Sequence, residues 1–188
     1  MKTLHGPRLT VRDLQLDDWR AIHSYSSLDE AVRYQPWGPN AEKDSKEFVS
    51  MAVEASRARP RTLYHLGVVE SSTGRLVGTV SMTVRMEHSG KEGELGYFLH
   101  PGVWNRGYAT EAARLLVRFG FEDLLLRQIV ATCDPRNVAS ARVLEKIGMR
   151  YARRDLRTMQ IRDGWRDSDV YILERSAWDR FQAMSLTP

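Results

Sequence analysis

The residues best suited to chemistry lie in the segment Trp104-Asn105-Arg106-Gly107-Tyr108-Ala109-Thr110-Glu111, where a helical pattern begins. Gly107 and Ala109 are small and stand two positions apart, so a ligand can approach the backbone closely there. Unpaired N–H groups in the first turn of a helix, together with the positive end of its dipole, favour an anion such as a pyrophosphate. The spacing is neither that of a P-loop nor Gly-x-Gly-x-x-Gly. The segment alone therefore predicts an anion site or, equally, tight packing of a helix on a strand.

The elements around this segment predict a parallel crossover. Residues 91–100 alternate in side-chain type like a strand, and 127–133 form a short apolar strand. Between them small and apolar residues recur at i, i+3, i+4, i+7, i+8 and i+11, which is typical of a helix with one small-residue face: Ala109, Ala112, Ala113, Leu116, Val117 and Gly120. Strand, helix and strand at this spacing predict two parallel neighbours. The next helix would begin after Asn137 as its N-cap and end before Gly148.

The remaining pattern predicts one mixed sheet covered on both faces. Further strands are expected at 8–12, 62–70, 75–85, 149–159 and 168–175, and further helices at 17–24, 28–34, 41–58 and around Trp178. The turn Ser71-Ser72-Thr73-Gly74 is a hairpin signal. We therefore expect a single α/β (α+β) domain over residues 1–188, with a mostly antiparallel sheet and one parallel βαβ pair.

Composition narrows the class of protein. The 188 residues are 42% hydrophobic and 28% charged, as in an ordinary globular chain. No apolar run approaches 18 residues and the N-terminus has no apolar signal region, so we expect a cytoplasmic protein that uses no membrane. The net charge of +4 suits an anionic ligand or plain solubility. Because the arginines are spread along the chain, no specific nucleic-acid partner is expected.

Four motifs in order resemble the GNAT N-acetyltransferases, in particular their RimJ/RimL-like branch. Glu94-Leu95-Gly96-Tyr97-Phe98-Leu99 and Trp104-Asn105-Arg106-Gly107-Tyr108-Ala109-Thr110-Glu111-Ala112 are similar to the acetyl-CoA-binding core of that family. Asn137-Val138-Ala139-Ser140, followed by Leu144-Glu145-Lys146-Ile147-Gly148-Met149, resembles the second motif of the branch. Gly164, Asp167, Tyr171 and Trp178 match its closing hairpin. The resemblance extends from Arg8 to Trp178.

The resemblance implies acetyl-CoA as co-substrate. Its pantetheine arm would enter between the strands that end at Leu99 and Cys133, held by the main chain of Phe98 and Leu99, with one amide directed at the thioester oxygen. The loop before the helix would cradle the pyrophosphate, with Arg106 as a countercharge, through these residues: Asn105, Arg106, Gly107, Tyr108, Ala109 and Thr110. Asn137 would form a hydrogen bond with the cofactor.

The resemblance also implies an acid, and the chemistry needs a base. Many GNAT enzymes carry a tyrosine acid where this chain has Leu144, whereas the RimJ/RimL-like branch tends to lack it and relies on a serine. Ser140, one helical turn after Asn137, would therefore protonate the leaving thiolate. Departure of the thiolate without help is the alternative. Glu94 is the first candidate for the base, acting through water, and His100 is the second. The alternative for Glu94 is a cross-strand or solvated carboxylate.

Three further residues have alternative interpretations. Trp37, in the turn Pro36-Trp37-Gly38-Pro39, is expected in the acceptor-site wall, the alternative being a core plug. Asp167 would bind substrate or support the hairpin. Cys133, the single cysteine, is expected to be a packing residue rather than a nucleophile. The histidines lack the spacing of metal ligands, so no metal is expected.

These observations predict an acetyl-CoA-dependent N-acetyltransferase that transfers the acetyl group directly, in a ternary complex, to a primary amine. The expected acceptor is a protein N-terminal α-amine of the ribosomal-protein type. A small amine, such as a polyamine, an aminoglycoside or another metabolite, is the alternative acceptor. A non-catalytic acyl-CoA-binding module is the alternative function, and a homodimer is compatible with the resemblance.

Overall fold

A computed structural model describes residues 3–88 and 90–185 of the chain. In this described part the chain forms eight strands, six α-helices and two short 3-10 helices at Leu16–Asp18 and Pro101–Val103. The strands are β1 (Leu4–His5), β2 (Leu9–Asp13), β3 (Leu63–Glu70), β4 (Leu76–Glu87), β5 (Gly90–Leu99), β6 (Gln128–Cys133), β7 (Arg150–Ile161) and β8 (Gly164–Glu174). The helices are α1 (Trp19–Ser26), α2 (Asp29–Val32), α3 (Glu42–Arg57), α4 (Tyr108–Glu122), α5 (Val138–Lys146) and α6 (Arg175–Ser185). None of the helices in these residues has both the length and the apolar character that a membrane span requires.

The strands form one sheet in the order β1-β2-β3-β4-β5-β6-β8-β7. Among the described strands, β5 and β6 pair in parallel, and every other neighbouring pair is antiparallel. Helix α4 connects β5 to β6, as a parallel pair requires. This arrangement confirms the predicted mixed sheet with one βαβ crossover.

Helix α4 packs closely on one face of the sheet because the residues between them are small. A Cβ atom added at Gly93 of β5 would lie 2.5 Å from side-chain atoms of both Leu126 and Met82. At Gly120 of α4 it would lie 3.0 Å from side-chain atoms of Ile129 and Leu126. A larger residue at either glycine would force these neighbouring side chains to move, so the two glycines allow the close packing between helix and sheet.

The opposite face of the sheet is covered by α1 and α3. Their buried residues pack with the chain that follows β2 in a second, smaller cluster: Leu14, Ile22, Tyr25, Val49 and Ala52. Phe98, near the end of β5, packs against this cluster. Helix α3 contacts β3, and α1 contacts β4.

The hairpin of β7 and β8 is longer than the sequence pattern indicated, since β8 begins at Gly164 rather than near residue 168. The pairing shifts between Asp155 and Met159, and Arg157 has a left-handed φ of 49°. The N–H of Arg157 donates to Oδ1 of Asp167 at 2.9 Å. Asp167 therefore supports this bulge, which is the hairpin role among its two expected roles.

The other elements lie within a few residues of their predicted bounds. Asn137 caps α5, and Gly148 follows it with a φ of 90°. Strand β1 was not predicted, because two residues are too short for any periodicity to show. Gly74 takes a φ of 71° in the hairpin between β3 and β4.

Candidate active site

The two parallel strands separate and leave a wedge-shaped gap. They pair only at Glu92 with Gln128, Gly93 with Ile129 and Glu94 with Val130. Both strands nevertheless continue, to Leu99 and to Cys133. We call the gap between residues 95–99 and residues 131–133 the wedge. The edges of β5 and β6 that face it carry main-chain N–H and C=O groups that an extended ligand could bind as an added strand.

The register of β5 decides which main-chain groups face the wedge. The N–H of His100 donates to Val77 O on β4 at 2.9 Å, and Phe98 lies opposite Thr79 in the same register. Bonded pairs alternate along an antiparallel ladder, so the groups of Phe98 also face β4. The prediction that the main chain of Phe98 would hold the pantetheine arm is therefore corrected. The main-chain groups of Leu99 do face the wedge, where the indole N–H of Trp104 donates to Leu99 O at 3.0 Å.

The first turn of α4 has the features of an anion site. Asn105 and Gly107 adopt left-handed φ values of 60° and 75°, so the loop turns sharply into the helix. Gly107 is the N-cap residue, and no side chain within residues 3–88 and 90–185 caps this N-terminus. Asn105, Arg106 and Gly107 are exposed, whereas Ala109 and Thr110 are half-buried. The N-terminal N–H groups of α4 are therefore available to an anion, with the Arg106 side chain nearby.

Side chains around this loop hold it in place. The carboxylate of Glu111 accepts bonds from the N–H and the Nε of Arg8, both at 2.8 Å. Arg8 also donates to Arg106 O at 2.8 Å and lies over the ring of Tyr108. The hydroxyl of Tyr108 donates to Glu70 at 2.6 Å, and this bond raises the pKa of the phenol. The Tyr108 side chain thus ties α4 to β3.

Two polar residues of α5 lie beside the wedge. Oδ1 of Asn137 accepts the N–H of Ser140 at 3.1 Å, which is the N-cap bond of the helix. Ser140 is half-buried, and its Oγ lies 2.8 Å from the hydroxyl of Tyr97 on β5. Burial raises the pKa of the Tyr97 phenol. The structure therefore brings Ser140 to the wedge, together with a tyrosine that the sequence analysis had not singled out.

Cys133 ends β6 in a buried position, with 4% of its surface exposed. Burial raises the pKa of its thiol to about 11, so the thiol is protonated at neutral pH. A thiol, unlike a thiolate, is a poor nucleophile. Position and ionisation both match a packing role.

A cleft of about 180 Å³ opens on the sheet face where β5 and β6 stop pairing, and Glu94 lies in it. Its lining comes from β4, β5, β6, β7 and β8: Thr83, Arg85, Glu87, Glu92, Gly93, Glu94, Val130, Thr132, Arg153, Asp155 and Val170. Oε2 of Glu94 lies 2.8 Å from Nη2 of Arg85. The carboxylate remains 42% exposed, so water and a ligand can reach it. Nδ1 of His100 instead accepts the N–H of Gly102 at 2.9 Å, so this nitrogen is engaged in a turn.

Trp37 stands between Phe98 and solvent. Its ring meets that of Phe98 edge-on, with centroids 5.0 Å apart, and 40% of its surface is exposed. It also lines a second cavity of about 200 Å³ beside the β7–β8 turn. Buried Arg166 donates to Tyr34 O at 2.9 Å and so attaches this loop to β8. Trp37 therefore lies at the surface beside this cavity and does not fill the hydrophobic core.

The wedge and the α4 N-terminus lie at the same end of β5. An amide-bearing arm that pairs with Leu99 and carries a pyrophosphate at its far end would meet both features at once. A CoA thioester has these two parts, so the combination favours an acyl-CoA-dependent acyltransferase. The chain belongs to the GNAT family of these enzymes, since the profile of the GNAT acetyltransferase domain matches residues 8–150. It is an acetyl-CoA-dependent N-acetyltransferase.

The chain is similar in sequence to one named N-acetyltransferase and in fold to two solved acetyltransferases that act on different acceptors. The chain is 30% identical to the uncharacterised N-acetyltransferase YnaD of Bacillus subtilis, over 92% of this chain and 96% of the relative. It resembles the solved ribosomal-protein-S5-alanine acetyltransferase of Vibrio fischeri with a TM-score of 0.78, 22% identity and coverage of 95% and 99%. It resembles the spermidine N-acetyltransferase of Vibrio cholerae, solved with CoA and spermine, with a TM-score of 0.78, 17% identity and coverage of 92% and 99%. These two structures establish the fold and leave the acceptor open.

Proposed function

We propose that the acceptor is a protein N-terminal α-amine, which receives the acetyl group directly from acetyl-CoA in a ternary complex. The charge balance of the cleft carries this proposal. Of its four carboxylates, three are engaged in ion pairs: Glu94 with Arg85, Glu92 with Arg127 and Asp155 with Arg153. A polyamine would need several unpaired carboxylates for its several ammonium groups, whereas an N-terminus brings one charge.

The cofactor half of the site follows from the main-chain geometry. The groups of Leu99 that face the wedge would bind the pantetheine arm and place an amide near the thioester oxygen. The first turn of α4 and the loop 105–110 would bind the pyrophosphate, with Arg106 as countercharge. Because Oδ1 of Asn137 caps α5, its amide nitrogen is the atom that would donate to the cofactor.

The chemistry requires an unprotonated amine. Glu94, acting through water, accepts a proton from the ammonium group, and the nitrogen then attacks the thioester carbon. The bond between carbon and sulfur breaks as the amide forms. The nitrogen releases its second proton to water as the amide forms. Ser140 gives a proton to the departing thiolate and regains one from that water. Cys133 takes no part, because its thiol is buried and protonated.

The position of Trp37 supports its predicted role at the acceptor side. Its contact with Phe98 places the ring near the end of β5, and Arg166 holds the loop that carries it. The wall would restrict the acceptor to a chain that extends out of the cleft. A peptide backbone meets this requirement when its N-terminus enters first.

The test is thiol release from acetyl-CoA with three acceptors in parallel: a peptide with a free Ala or Ser N-terminus, spermidine, and an aminoglycoside. The same peptide with a blocked N-terminus and an internal lysine is the matched control. We expect turnover of the free peptide alone. Turnover of spermidine or the aminoglycoside, without the peptide, would assign a small amine instead. Equal turnover of the blocked peptide would assign lysine side chains.

A further inference from the structure

The hydroxyl oxygen of Tyr97 lies within hydrogen-bond distance of two atoms of Ser140. Its oxygen lies 2.8 Å from Ser140 Oγ and 3.0 Å from Ser140 O. Tyr97 stands on β5 three residues beyond Glu94, the last residue of β5 paired with β6, and Ser140 stands in the first turn of α5. The hydrogen bond therefore joins two elements across the wedge, at a level where the sheet no longer connects β5 to β6.

These two contacts allow two proton arrangements, because a phenol has a single proton. When Tyr97 donates to Ser140 O, the serine hydroxyl can donate back to the phenol oxygen. When Tyr97 donates to Ser140 Oγ, the serine proton can point at a third atom. In this structure that atom is the sulfur of Cys133, with which Ser140 shares a hydrogen bond, and a thioester sulfur bound in the wedge would take its place. Donation into Oγ also polarises the serine hydroxyl and makes it a stronger donor. Burial favours the protonated phenol, so Tyr97 keeps its proton over the working pH range.

We propose that Tyr97 is a positioning residue for acetyl transfer, whose hydroxyl donates to Ser140 Oγ and directs the serine proton at the sulfur leaving the thioester. The inference rests on the proposed function, in which Ser140 serves that sulfur. Asn137 fixes the main chain of Ser140 from the other side through the bond to its N–H. The serine is thus held at its main chain by the helix cap and at its hydroxyl by Tyr97.

The decisive variant is Tyr97→Phe, which removes one oxygen and keeps the ring. We expect kcat to fall roughly tenfold, the equivalent of one lost hydrogen bond to a group that develops charge. The KM for acetyl-CoA should stay within about twofold, because the ring still packs in the wedge. Tyr171→Phe is the matched control: Tyr171 is also buried, on β8, and its kcat should remain unchanged.

A double-mutant cycle with Ser140→Ala separates positioning from a general structural effect. If Tyr97 acts through the serine, the double variant should be no slower than Ser140→Ala alone. Losses that multiply would overturn the proposal, and so would a Tyr97→Phe enzyme as fast as the wild type. The assay uses whichever of the peptide, spermidine or aminoglycoside the wild type acetylates, so an error about the acceptor does not affect it. A wild type silent with all three would overturn the proposed function and this inference together.

Discussion

Oε2 of Glu94 lies 2.8 Å from Nη2 of Arg85, two residues along β4 from the position directly opposite Glu94. Both side chains line the cleft beside the wedge. In the proposed function, this partly exposed carboxylate is the one that an incoming ammonium group would meet. Because the ion pair is largely exposed, its own contribution to stability is small.

Replacement of Glu94 tests the base directly. Glu94→Gln should lower kcat by about a hundredfold, because the amide accepts no proton from the ammonium group. Glu92→Gln is the matched control: Glu92 lies two residues away on the same strand face and is paired with Arg127 at 3.0 Å. We expect it to retain nearly full kcat. Steady-state rates at saturating acetyl-CoA are the measurement, and equal losses in both variants would show a charge effect rather than a base.

Substitution of Gly107 tests whether the first turn of α4 binds the pyrophosphate. Gly107→Ala should raise the KM for acetyl-CoA several-fold, because a Cβ there narrows the approach to the backbone. The left-handed φ of 75° should also cost about 1 kcal/mol of stability. Gly74→Ala supplies the same strain, with a φ of 71°, in an open hairpin where no atom of the described part of the chain lies within 4 Å of the added Cβ. If both variants bind CoA equally in calorimetry, the loop is not the pyrophosphate site.

The sequence predicts the parallel crossover well because its signals are local. Helix α4 is marked by its small-residue face, and α5 by Asn137 at one end and Gly148 at the other. Such periodicity and capping need no knowledge of distant contacts. The wedge itself follows from the resemblance and not from the periodicity, since nothing in the pattern of β5 marks where pairing with β6 ends.

The pairs that build the site were not predictable in this way. Arg85 and Glu94 meet only because of the register of β4 and β5, and Tyr97 and Ser140 are 43 residues apart. The alternation of β5 places Tyr97 on the same face as Leu95 and Leu99. The sequence pattern therefore indicates a core tyrosine and gives no sign that its hydroxyl has a partner. The choice between Phe98 and Leu99 likewise depends on which main-chain groups β4 uses, and side-chain patterns carry no information about that.

Asn137 combines a helix cap with a proposed cofactor contact, and two substitutions separate these roles. Asn137→Ala should lower the free energy of unfolding by about 1 kcal/mol, since the cap bond to Ser140 is lost. Asn137→Ser keeps a capping oxygen, so its stability should stay near that of the wild type. Both lack the amide nitrogen, and both should raise the KM for acetyl-CoA. Denaturant unfolding and steady-state kinetics together decide: a normal KM for Asn137→Ser would leave the residue with the cap alone.

The buried thiol of Cys133 should make the free energy of unfolding depend on pH in the alkaline range. Burial raises the pKa of its thiol from 9.0 to about 11, so the unfolded chain loses this proton first. The free energy of unfolding should therefore fall as the pH rises from about 9 to about 11, by roughly 2–3 kcal/mol from this group. Cys133→Ala should show a smaller fall than the wild type when urea unfolding is compared at pH 8 and pH 10.5. The same variant should keep its kcat at pH 7.5. A loss of activity there would mean that Cys133 takes part, either through its hydrogen bond to Ser140 or as a covalent acetyl-cysteine.

Substitution of Trp37 tests whether its ring forms part of the acceptor site. Trp37→Ala removes the ring that meets Phe98 edge-on, so we expect the KM for the acceptor peptide to rise roughly tenfold, the equivalent of about 1.4 kcal/mol. The KM for acetyl-CoA should stay within about twofold, because the cofactor contacts lie at the wedge and α4. Trp165→Ala is the control, since Trp165 is similarly exposed and packs with Arg157 on the hairpin instead. A rise in the acetyl-CoA KM, or an equal acceptor effect in both variants, would remove Trp37 from the acceptor site.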